Sequence, residues 1–183
     1  RVRVAVGGSC DHRRGGRHPH RPRGTRMTTG ILRRTTFVVP DAAKAAQFYE
    51  TVFGWTRFYD HSLVAKRGFP PVSPNDEPVK LVLLKAEDPK IGMVGFLQYV
   101  DPPFDTAVPV NRTKVKMGEA ILVVQTGDVD GSHARAVQAG ATIAVPPTTW
   151  EVPSHDGSSV IRLRTFSMFD PNGIYSEVNQ HLS

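Results

Sequence analysis

Near the end of the 183-residue chain, the stretch "FSMFDPNGIYSEVNQ" sets one carboxylate, Glu177, inside a run otherwise suited to strand pairing. Asp170-Pro171-Asn172-Gly173 has the composition of a tight turn, so the segment is expected to run strand, turn, strand. Side chains alternate across a strand, which puts Tyr175, Glu177 and Asn179 on one face and Ile174, Ser176 and Val178 on the other. A carboxylate on a sheet face can ligate a divalent cation, act as a general acid–base, or pair with a guanidinium through two parallel hydrogen bonds. At a strand end it can equally be solvated.

Other residues carry weaker signals. Trp150 offers a flat surface for a ligand, although a tryptophan in a strand-rich segment more often belongs to the core. His61, His133 and His155 fall beside a strand, on a helix and in a loop, and no spacing links them to a nucleophile and an orienting acid. Arg162 and Arg164 share one strand face, either at the mouth of a site or on its wet side. Cys10, His12, His18 and His20 are ligand types, but their spacing matches no familiar metal finger and arginines surround them.

The net charge of +6 raises the question of a polyanionic partner. Residues 1–26 hold eight arginines and one aspartate, whereas residues 27–183 hold 15 basic and 16 acidic side chains. A body so close to neutral has no electrostatic footprint for nucleic acid. Residues 1–26, rich in Arg, Gly, His and Pro without an apolar period, are expected to be a disordered basic tail. Met27 reads as the natural start, which would leave the tail outside the native protein. No apolar run approaches the roughly 18–20 residues that span a bilayer. The single cysteine fits a reducing cytoplasm.

The elements that must position these side chains repeat. "ILRRTTFVV" is β-rich, and Asp41 can cap a helix over "AAKAAQFYETVF" that stops at Gly54. Ala45, Phe48, Tyr49 and Val52 give that helix one apolar face. "WTRFYDHSLVAK", "VKLVLLKA" and "MVGFLQYV" follow as strands, divided by Pro-rich and Asp-Pro turns. The pattern restarts with "EAILVVQT", Asp128 and Asp130 ahead of a second helix that stops at Gly140. "ATIAVPP", "TTWEVPSHDG", "SSVIRLRTFSMF" and "GIYSEVNQ" are its strand candidates. The expected fold is α+β, two tandem β-α-β-β-β modules over residues 27–100 and 119–183, with 101–118 as linker.

This doubled plan, with "TTFVVPDAAKAAQFYETVFGW" in one half and "GDVDGSHARAVQAGA" and "FDPNGIYSEV" in the other, resembles the vicinal oxygen chelate superfamily of glyoxalases, ring-cleaving dioxygenases and bleomycin-type resistance proteins. The resemblance covers residues 31–180. It implies a cup-shaped half-barrel sheet with a small ligand in its concavity. It also implies four metal-ligand positions, on the first and last strands of each module. Glu177 takes the last of them. The first-strand positions, seven residues before each capping aspartate, fall on Arg34 and Ile121, and neither side chain has a lone pair to offer. The remaining position falls on Phe96 or Gln98, depending on how the turn before them is aligned.

A standard metal site is therefore not expected, and no cofactor is predicted. The resemblance instead implies a small-molecule-binding protein with a degenerate metal site, sequestering or transforming its ligand. Glu177 is the candidate acid–base, with Arg34, Thr36, Phe96, Gln98, Ile121, Val123, Tyr175 and Trp150 as ligand-binding residues. Arg34 and Glu177 would either bridge the modules or share the ligand. The alternative is a metal-dependent lyase, isomerase or dioxygenase that draws on Gln98, Glu119 and Glu177. A homodimer is the expected assembly, because half-closed barrels leave strand edges open.

Overall fold

In the computed structural model, strand β1 (Arg34–Val38) leads into helix α1 (Ala42–Phe53) and strands β2 (Thr56–Ala65), β3 (Glu77–Lys85) and β4 (Met93–Tyr99). The plan then repeats as β5 (Leu122–Gln125), α2 (Val129–Gln138), β6 (Thr142–Pro153), β7 (Val160–Phe169) and β8 (Tyr175–Leu182). The structure describes residues 30, 32–66, 70–72, 74–88, 92–108 and 112–182. The basic tail with Cys10, His12, His18 and His20 lies outside them.

The helix bounds follow from their caps. Asp41 accepts hydrogen bonds from the Ala43 and Lys44 amides at 3.0 Å, satisfying two of the donors that a helix start leaves open. Gly54 closes α1 at φ 69°, a left-handed conformation that glycine adopts without a Cβ penalty. In α2, Asp128 accepts from the Gly131 amide at 2.8 Å. A glutamine reinforces each start: the Ala42 amide donates to Gln98 Oε1 at 3.1 Å, and the Val129 amide donates to Gln180 Oε1 at 3.2 Å.

Each module forms one open four-stranded sheet, in the orders β1-β4-β3-β2 and β5-β8-β7-β6. The first strand of each module runs parallel to the last, and the other pairs are antiparallel. "ATIAVPP" and "TTWEVP", expected as two strands, join into the single strand β6. Its pairing with β7 shifts register between Val145 and Thr148, and this irregularity accommodates the Pro146-Pro147 pair, which cannot donate to a ladder.

Helices α1 and α2 pack against each other, and among the described residues no strand of one sheet lies against a strand of the other. The apolar face of each helix covers one face of its own sheet, and the two halves share one core: Ala45, Tyr49, Val52, Val82 and Phe96 from the first module, Val129, Ala136, Phe166, Met168 and Val178 from the second. Tyr49 also donates to Asp170 Oδ2 at 3.2 Å, tying α1 to the turn between β7 and β8. Asp170 Oδ1 meanwhile accepts from the amides of Asn172 and Ile174, both at 2.8 Å. Burial raises the Asp170 carboxyl above its ordinary value, against the lowering effect of those bonds, and raises the Tyr49 phenol well above its own. Among the described residues, no helix is long and apolar enough to cross a membrane.

Candidate functional site

Partner residues across a strand pair point to the same face, so strand register decides what each sheet presents away from the helices. In the second sheet Glu177 pairs with Val123 and Ser167, and Asn179 pairs with Gln125 and Thr165. Ser176 and Val178 point the other way and are fully buried. The outer face thus carries Ile121, Val123, Tyr175, Glu177, Ser167 and Trp150. Tyr175, Glu177, Ser167, Thr165, Trp150 and Val145 surround a cavity of about 320 Å³.

A chain of hydrogen bonds crosses this face. Trp150 Nε1 donates to Thr165 Oγ1 at 2.7 Å, Thr165 Oγ1 donates to Asn179 Oδ1 at 2.5 Å, and Asn179 Nδ2 donates to Glu177 Oε1 at 3.0 Å. The apolar members of the face remain open: Val123 is 68% exposed, and Ile121, Val145 and Trp150 are also exposed.

The first sheet has a corresponding face. Arg34, Thr36 and Val38 pair with Met93, Gly95 and Leu97, and β3 brings Leu81 and Val79 level with Leu97 and Tyr99. Arg34, Thr36, Val38, Leu63, Leu81 and Leu97 border a cavity of about 740 Å³. Arg34 and Glu177 line different cavities, and among the described residues no ion pair joins them.

The described fold and its two open faces stand beside those of known proteins as follows. The profile of the glyoxalase/bleomycin resistance protein/dioxygenase superfamily matches residues 31–178. The chain belongs to that superfamily. Its fold is similar to that of a glyoxalase-family protein from Bacillus cereus, with a TM-score of 0.65 at 16% identity over 86% of this chain and 99% of that one. It is also similar to the trypanothione-dependent glyoxalase I of Leishmania major, with a TM-score of 0.52 at 14% identity over 83% and 87% of the two chains. A mobile-metagenome protein of Vibrio pseudocholerae gives a TM-score of 0.51 at 19% identity over 86% and 98%. No curated protein matches the chain.

Superfamily membership raises the question of the metal, and the register locates the four ligand positions that the resemblance implies. Arg34 and Ile121 stand seven residues before the capping aspartates Asp41 and Asp128. Two residues beyond them, Thr36 pairs with Gly95 in the first sheet and Val123 pairs with Glu177 in the second. The first-module counterpart of Glu177 is therefore Gly95, not Phe96 or Gln98. The capping glutamines agree: Gln98 follows Gly95 by three residues, as Gln180 follows Glu177. A Cβ at Gly95 would lie 2.7 Å from Thr36 Oγ1 and 2.9 Å from Leu83 Cδ2, so any side chain there must displace those two.

The four superfamily positions thus hold Arg34, Gly95, Ile121 and Glu177. One oxygen donor among a cation, a glycine and an aliphatic side chain does not fit a divalent metal. Nor do three or more His, Cys, Asp or Glu side chains gather anywhere among the described residues.

Phe96 and Gln98, expected as ligand-binding residues, lie on the helix side of their sheet. Phe96 is fully buried against α1, its ring 5.2 Å from that of Tyr49, so it belongs to the core and not to a ligand face. Gln98 faces the same side and caps α1, and it borders a separate cavity of about 320 Å³ near the linker residues 102–108. Glu119, considered as a replacement metal ligand, is taken up by Arg112 and by the Lys116 amide at 2.8 Å, and that Arg112 bond chiefly holds its carboxyl below the ordinary range. Arg164 pairs with Asp130 through contacts of 2.9 and 2.7 Å, anchoring α2 to β7 and not lining a mouth. His133 packs edge-on against Phe166 and His61 against Tyr59.

Ser167, which sequence reasoning missed, is 3% exposed, and its hydroxyl has no hydrogen-bond partner among the described residues. Strand alternation from Phe169 back to Thr165 would have placed it beside Glu177, once the Asp-Pro-Asn-Gly turn had been taken as fixing the register.

Proposed function

We propose that the protein binds a small, mainly apolar organic molecule on the outer face of its second sheet, with Glu177 receiving a polar group of the ligand and no chelated metal taking part. The observation that carries this reading is the exchange at the chelating positions. Gly95 offers no donor, and a side chain there would have to displace Thr36 and Leu83, whereas Glu177 stands beside a cavity lined by Trp150 and Tyr175. Ligand sites of this size are commonly apolar with a few placed polar groups, and the arrangement matches that description.

Holding a ligand suits Glu177 better than proton transfer. A carboxyl that works as general acid–base near neutrality needs burial to disfavour its charge, and Glu177 stands on an open face. Sequestration is thus the leading role, with Glu177 the acid–base group should the ligand be turned over. Thr36, Arg34 and Val38 would line the complementary wall. In this reading a second copy of the chain covers the open faces, so that Arg34 of one copy meets Glu177 of its partner across the ligand. The apolar residues exposed on both faces and the opposite charges of Arg34 and Glu177 support that pairing. The lone cysteine is in keeping with a cytoplasmic location.

A thermal-shift screen of neutral aromatic compounds against the full chain tests the reading. Compounds that raise the melting temperature are expected to lose that effect in Glu177→Gln, and to bind one per site without forming product. Hits that ignore the Glu177→Gln change would remove Glu177 from the site.

A further inference from the structure

The cavity beside Glu177 has a hydrogen-bond polarity, and that polarity specifies the ligand's functional group; the inference rests on the reading of this cavity as the ligand site. The chain begins at the Trp150 indole, which can only donate, and ends at a carboxylate, which when ionised can only accept. Both ends fix the Asn179 amide. Its Nδ2 must face Glu177, since the reverse orientation would set Oδ1 against a carboxylate oxygen, and its Oδ1 then takes the Thr165 proton. The Trp150 and Thr165 donors are consumed along the chain, and one Asn179 N–H is spent on Glu177. Glu177 Oε1 has the Asn179 bond, and Oε2 receives no hydrogen bond among the described residues.

Directly across the β7–β8 pair sits Ser167, whose buried hydroxyl has no hydrogen-bond partner among the described residues. Leaving such a group unpaired is costly, so a ligand that engages it recovers a term already lost in the free protein. A ligand group that donates to Glu177 and accepts from Ser167 completes both at once. A hydroxyl does this with a single oxygen. A carboxylate or carbonyl lacks the donor, and an ammonium lacks the acceptor. The walls beside it, Trp150, Tyr175 and Val145, suit a flat apolar body. We propose that the ligand is a neutral, flat, apolar molecule bearing an alcohol or phenol hydroxyl, bound with that oxygen between Glu177 and Ser167.

Isothermal titration calorimetry of the full chain with 2-naphthol and with its methyl ether, 2-methoxynaphthalene, tests this directly. The ether keeps the ring and the acceptor but has lost the donor. The naphthol is expected to bind roughly ten-fold tighter or more, the worth of one hydrogen bond to a charged group. That preference should vanish in Glu177→Leu with the ether's affinity kept, whereas Ser167→Ala, the second variant should Glu177→Leu fold poorly, should weaken both probes several-fold because both accept from the Ser167 hydroxyl. Equal affinities for the two probes in the wild type, both lost in Trp150→Ala, would overturn the hydroxyl assignment while leaving the cavity as a binding site. Binding of neither probe would overturn both.

Discussion

Gly95 and Glu177 occupy equivalent places in the two sheets, yet one has no side chain and the other has the only oxygen donor of the set. The reason at Gly95 is local: Thr36 and Leu83 fill the space above it. Gly95→Ala should therefore destabilise the fold by about 1–3 kcal/mol through overpacking. Thr36→Ala removes the closest of the contacting atoms and should return part of that loss, as a double-mutant cycle of thermal or urea unfolding will read. Additive effects would mean that Thr36 is not what closes the position.

The alternation of Tyr175, Glu177 and Asn179 against Ser176 and Val178 was legible in the sequence because a Gly-terminated turn starts the strand and the period of two does the rest. The equivalence of Gly95 was not, because the turn ahead of β4 has a different length from the one ahead of β8. Matching "GFLQ" to "EVNQ" on their glutamines would have supplied it, since each glutamine caps its own helix.

At the scale of elements, α1 ran as expected from Ala42 to Phe53 because a capping aspartate and a left-handed glycine bracket one apolar stripe. Strand β6 did not follow expectation, since two prolines read as a break until a register shift in the ladder takes them up. What sequence periodicity could not convey was the link between modules. Tyr49 is an ordinary helix-face aromatic by spacing, but its hydroxyl reaches Asp170 of the second module.

That link carries a pH signature. Burial raises the folded-state pKa of Asp170 above the ordinary 3.8, so the folded protein binds this proton more tightly than the unfolded chain does. The contribution is present in full below the unfolded value and is lost as pH rises through the folded one. Asp170→Asn keeps an oxygen for the Asn172 and Ile174 amides and does not titrate. The stability advantage of wild type over Asp170→Asn should therefore shrink as pH rises from 3.8 through the folded-state pKa. A difference that grows with pH in urea melts would contradict the assignment.

Over the whole molecule, the sheets present their outer faces separately, so the side chains expected to share one cup are divided: Arg34 borders one cavity and Glu177 the other. No sequence period reports on such an arrangement, because the same helix and strand faces are buried whether the modules close on each other or on a second copy. If a second copy completes the site, Val123→Glu, which adds charge to an open apolar face, should shift sedimentation from dimer to monomer while leaving the far-ultraviolet circular dichroism unchanged. A monomeric wild type would contradict the two-copy reading.

The most direct test of the central claim, that Glu177 serves a ligand and not a chelated metal, is the metal content of purified wild type and Glu177→Ala after incubation with Ni²⁺, Zn²⁺, Mn²⁺ and Fe²⁺ and mild desalting. Comparing the two variants cancels any metal held by Cys10, His12, His18 or His20. The account predicts the same metal content in both. About one equivalent of a transition metal present in the wild type and lost in Glu177→Ala would contradict it.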